Sequence, residues 1–100
     1  MIARMWRGTA ADGEGARAYF RHLEANVVPA LEKIAGYCGV RALRRVQEGR
    51  VEILVTTFWE SMDAVRAFAG TDPEKAVVEP EARAVLAEFD DFVRHYEVAR

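Results

Sequence analysis

Between Val51 and Val98 the chain runs through a strand, a capped helix, proline-started helical turns and a strand again. Val51-Glu52-Ile53-Leu54-Val55-Thr56-Thr57-Phe58-Trp59 has the β-branched and aromatic content of a strand. Ser61 stands before Met62-Asp63-Ala64-Val65-Arg66-Ala67-Phe68 as an N-cap, with an acid in the first turn and Gly70 as the stop. Thr71-Asp72-Pro73 predicts a fresh cap with proline in the first turn, Pro80 breaks that segment, and Glu81 to Glu88 reads as a further helix. Phe89 to Val98 alternates almost regularly and predicts the closing strand.

The first half holds the same order of elements. Ile2 to Arg7 reads as a strand with Ile2, Arg4 and Trp6 on one face. Gly8 to Gly15 is a link, and Asp12 is placed to cap the next helix. From Ala16 to Asn26, Tyr19, Phe20, Leu23 and Val27 recur at helical spacing. Pro29 predicts a kink or restart, and Gly36 an end. A second strand runs from Gly39 to Gln47, and Glu48-Gly49 turns it into the Val51 strand as an antiparallel hairpin. The order is β-α-β-β-α-β, which closes into an α+β, ferredoxin-like domain spanning residues 1–100. Its four-stranded antiparallel sheet has helices on one face only. The bare face keeps apolar and aromatic side chains, so a homodimer packed sheet to sheet is expected.

Composition removes several classes of function. The 100 residues make one domain, and 51% apolar content is enough for a core. The net charge of −2 comes from interspersed Arg and Glu, with no basic tract for nucleic acid. No segment approaches the roughly 20 apolar residues of a membrane span. Arg4 and Arg7 interrupt any leader-like run. The single Cys38, read as a small buried residue, suits a reducing compartment, so a cytoplasmic protein is expected. Only His22 and His95 are present, with no CxxC, HExxH or phosphate-loop pattern, so neither a metal nor a bound cofactor is expected.

The remaining candidates are few. His95 in the closing strand is either a general base titrating near neutrality or a satisfied strand histidine. His22, between Tyr19 and Asn26, reads as a helix-flank residue. Trp6 and Trp59, with Tyr37 and Phe68, either line a flat aromatic ligand pocket or form core. Arg4 shares a face with Ile2 and Trp6, so it must reach solvent, pair with a carboxylate or bind an anionic ligand. One of Arg44 and Arg45 points inward.

Phe58-Trp59-Glu60-Ser61-Met62-Asp63-Ala64-Val65-Arg66-Ala67-Phe68 resembles the strand-to-helix junction of the antibiotic biosynthesis monooxygenase family. Val93-Arg94-His95-Tyr96-Glu97-Val98 resembles its last strand. The resemblance implies a dimeric α+β barrel. It also implies a cofactor-independent oxygenase acting on a small phenol- or quinol-like aromatic, with Arg4 and His95 as catalytic groups and Trp6, Tyr37, Trp59 and Phe68 around the ligand. A haem-degrading branch is similar too. The residues aligned with its asparagine, tryptophan and histidine are Arg4, Phe68 and Val78, and valine cannot ligate iron. The same dimer without turnover, as a small-molecule-binding module, is the alternative. A third reading is an isomerase or decarboxylase with His95 as base.

Overall fold

The computed structural model describes all residues Met1–Arg100. Its elements are β1 (Ile2–Ala10), α1 (Gly13–His22), α2 (Val28–Leu31), β2 (Tyr37–Gln47), β3 (Arg50–Trp59), α3 (Met62–Ala69), α4 (Pro80–Val85), β4 (Glu88–Phe89) and β5 (Arg94–Glu97). The sheet is antiparallel, in the order β2-β3-β1-β4, and β5 pairs with the other end of β1. β1 is therefore held on both edges. It is the strand that carries Arg4 and Trp6.

The predicted caps form. The Asp12 carboxylate accepts from the Gly15 N–H at 2.8 Å, and the Ser61 hydroxyl accepts from the Ala64 N–H at 3.2 Å. Pro29 restarts the helix rather than ending it. It has no N–H for the carbonyl four residues back, so the turn before it, Leu23–Val27, widens to π-helical pairing and α2 begins at Val28. Glu48 and Gly49 both take left-handed φ, +54° and +80°, as the two-residue hairpin turn between β2 and β3 requires.

Three details depart from the expectation. The closing strand is not continuous. At Asp90–Val93 the backbone turns from β1 to the segment after Pro73: Ala76 N–H donates to Asp91 O at 2.8 Å and Val93 N–H to Glu74 O at 2.7 Å. For the same reason Thr71–Glu79 does not form the expected helix. Its peptide groups bond to residues 91–93, and helix begins only at Pro80, a first-turn position that needs no N–H. Cys38 is exposed rather than buried, because a register shift between Tyr37 and Gly39 lifts it out of the pairing.

The apolar core lies between the sheet and the helices in two parts. Tyr19, Leu23, Ile53, Val55 and Leu86 fill the first, under α1 and α4. Leu31, Trp59 and Val65 fill the second, between α2, β3 and α3. Gly36, just before β2, packs closely against α3 beside the second. Its φ is +89°, and a Cβ there would lie 2.6 Å from Ala64 Cβ. Of the two arginines in question, Arg44 faces the helices, with its guanidinium 5.7 Å from the Phe20 ring centre. On the opposite face, Met5, Leu54 and Tyr96 border one groove with Phe92, and Leu43, Phe92 and Tyr96 are exposed. No helix is long and apolar enough to cross a membrane.

Candidate functional site

A largely apolar cavity of about 130 Å³ lies between the helices and the sheet. Alternation along the strands puts Arg4 and Trp6 of β1 and Val55 and Thr57 of β3 on its floor. Tyr19 and His22 reach it from α1, Phe68 from α3, and Val78 and Glu79 from the segment before α4. Arg4, Phe68 and Val78, from three separate segments, thus line one cavity.

Arg4 is the dominant polar group. It is 5% exposed, and no carboxylate lies within 4.0 Å of it. Nη1 donates to the Pro73 carbonyl and lies 2.9 Å from His95 Nε2, while Nη2 donates to Lys75 O at 3.0 Å. These contacts use three of five N–H donors and leave Nε–H and one Nη2–H free. Burial lowers the Arg4 pKa to about 10, so the group stays cationic at neutral pH. The two carbonyls come from the segment that the interrupted closing strand holds in place. The break in β4–β5 is therefore what builds the arginine's seat.

His95 pairs with Arg4 across β1 and β5. Burial first, and the Arg4 charge second, lower its pKa, with Glu74 opposing them. The imidazole is neutral at pH 7, and Nε2 accepts from the guanidinium.

The aromatic candidates divide into two sets. Trp6 and Phe68 line the cavity. Trp6 stacks on Tyr19 at 5.8 Å and donates its indole N–H to Asp90 O at 3.0 Å. Phe68 lies 5.7 Å from the Arg4 guanidinium. Trp59 and Tyr37 stand behind it: Trp59 stacks on Phe68 at 5.4 Å, and Tyr37 meets Trp59 edge-on at 5.5 Å. Trp59 has no exposed surface, and its indole donates to Thr57 Oγ1 at 2.9 Å. Burial, then Glu32, raises the Tyr37 pKa.

His22, read from the sequence as a helix-flank residue, instead lines the cavity and is only 7% exposed. Asn26 contacts its Nδ1 at 3.0 Å, and Nε2 has no hydrogen-bond partner. The available signal was its position three residues after Tyr19 and four before Asn26, on the side of the helix that turns inward. Tyr19, also missed as a site residue, is buried beside Glu79; burial and then that charge raise its pKa, so its hydroxyl keeps its proton.

Comparison with known proteins places this geometry. Solved structures that share the fold include the following three. The haem-degrading protein of Mycobacterium tuberculosis, with two haems bound in its active site, is 20% identical over 100% of this chain and 97% of its own, with a TM-score of 0.66. A monooxygenase of Streptomyces coelicolor in complex with nanaomycin D is 14% identical over 95% and 82%, with a TM-score of 0.60. A mutant form of a cofactor-independent oxygenase of Streptomyces nogalater is 17% identical over 99% and 94%, with a TM-score of 0.56. No curated protein matches the chain significantly. The family model for antibiotic biosynthesis monooxygenase matches residues 9–80. The match spans well over half of the chain, which belongs to the antibiotic biosynthesis monooxygenase family.

Proposed function

We propose that this protein is a cofactor-independent oxygenase whose substrate is a small phenol or quinol, bound as its phenolate by Arg4. The observation that carries the reading is a buried guanidinium on an apolar cavity wall with no carboxylate partner and two free N–H donors. A cation in a low-dielectric wall favours the charged form of an adjacent phenol. The phenolate is the electron-rich form that gives electrons to O2. One oxygen atom bonds to a ring carbon, the O–O bond breaks, and the second oxygen leaves as water with two hydrogens of the phenol, one from the hydroxyl and one from the ring. The sum is phenol plus O2 to quinone plus water, and the ring supplies every electron.

His95 has its Nε2 on Arg4, so in this reading it orients the guanidinium. Phe68, backed by Trp59 and Tyr37, and Trp6 on Tyr19 supply flat surfaces for a ring. Cavity size selects the ligand. About 130 Å³ is near the ~150 Å³ of a cavity that takes benzene and far below the ~300–1,000 Å³ of sites for larger ligands. A single ring fits it. The exposed apolar face with Leu43, Phe92 and Tyr96 takes a second copy, which completes a sheet-to-sheet dimer.

The test is oxygen uptake with phenol, hydroquinone and 1-naphthol against a protein-free control. Uptake with a single-ring substrate, lost in Arg4→Met, supports the reading. Saturable phenol binding without uptake assigns the dimer to ligand binding alone. Uptake only with the two-ring substrate overturns the size argument.

A further inference from the structure

We infer that His22, Glu79 and Glu81 form a binding site for a divalent transition-metal ion at the border of the cavity. The site does not rest on the oxygenase reading. The two carboxylates come from the start of α4, where Glu79 precedes the helix and Glu81 lies in its first turn, and α4 packs on α1 where His22 sits. One ligating atom from each of the three residues lies within 4.8 Å of the others. His22 Nε2 and Glu79 Oε1 are 3.8 Å apart, too far for a hydrogen bond and close to the span of two ligands on one ion, about 3.5 Å for metal bonds of ~2.1 Å.

The imidazole is the fixed part. It is 7% exposed, and Nε2 is buried without a partner. A buried polar nitrogen left unmatched is unfavourable, and a metal bond removes the mismatch. Coordination needs the lone pair on Nε2 and the proton on Nδ1. Asn26 Nδ2 lies 3.0 Å from Nδ1, and a 180° turn of that amide, which exchanges its oxygen and nitrogen, puts its oxygen there to accept that proton. A metal-bound histidine characteristically donates its other N–H in this way.

The carboxylates are the adaptable part. Both are exposed, so their rotamers adjust the last fraction of an ångström. Neither has a Lys or Arg within 4.0 Å, and the nearby Arg83 donates to Val78 O and stacks on Phe89. Their charge is thus free for a cation, and that of Glu79 raises the pKa of Tyr19 after burial. One imidazole and two carboxylates suit borderline ions such as Zn2+ and Co2+ over the all-oxygen preference of Ca2+.

The experiment is calorimetric titration of chelator-treated protein with Zn2+, with Co2+ visible absorption as a second readout. One Zn2+ per chain is expected. His22→Gln and the double variant Glu79→Gln/Glu81→Gln should each weaken binding by at least about tenfold, and Asn26→Ala by roughly 10- to 100-fold. The glutamates are exposed, so the double variant keeps its fold, which far-UV circular dichroism checks. Absence of saturable binding, or binding that survives the double variant, overturns the site. Oxygen uptake plays no part in the readout, so the oxygenase reading and this site fail separately.

Discussion

Arg4 Nη1 lies 2.9 Å from His95 Nε2, across the pairing of β1 with β5. This contact ties the only histidine of the closing strand to the one buried arginine of the first. It requires a neutral imidazole. Protonating His95 would take the acceptor away and place two cations side by side.

His95 therefore imposes a pH dependence. Its pKa is lowered in the fold from 6.5, by burial first and Arg4 second. Once pH falls to about 6.5 the unfolded chain binds more protons at this position than the folded one. Stability is then lost as pH falls from 6.5 through the folded pKa. The thermal midpoint of His95→Gln should fall less across that window than that of the natural protein. Parallel curves would remove His95 as the cause.

Trp59→Ala should act on stability before it acts on binding. The side chain is fully buried against Leu31, Val65 and Phe68, and truncating such an aromatic costs about 3–5 kcal/mol. Urea unfolding reads the loss directly. An unchanged midpoint would mean that α3 does not depend on Trp59 for its docking.

The bare sheet face predicts the assembly. Light scattering should give twice the 11.2 kDa chain mass at micromolar concentration. Phe92→Glu with Tyr96→Glu, both at exposed positions, should give the single-chain mass with unchanged helix content. A dimer that survives both charges would lie on another surface.

Much of the fold was legible because local signals agreed with it. Asp12, Ser61 and Glu48-Gly49 are each read within a few residues of where they act, and the strand alternation of β1 and β3 is a local pattern. The interrupted closing strand was not legible. Its cause is the competition of residues 74–76 for the same peptide groups, and nothing within Phe89–Val98 marks that competition. The site divides in the same way. Arg4 stood out because an arginine among Ile2 and Trp6 demands a partner, but its partners proved to be two backbone carbonyls, which have no residue identity to read, and a histidine 91 residues away. His22 and Glu79 come together only through the packing of α1 on α4, so no spacing rule could join them.

The central claim is that Arg4 stabilises a bound phenolate. It is tested most directly by the spectrophotometric pKa of 4-nitrophenol bound to the protein, whose phenolate absorbs apart from the phenol. Binding beside the guanidinium should lower that pKa by about 1–3 units. Arg4→Lys should keep part of the shift, and Arg4→Met should abolish it. A bound phenol whose pKa is unchanged or raised, or whose shift persists in Arg4→Met, would contradict the account.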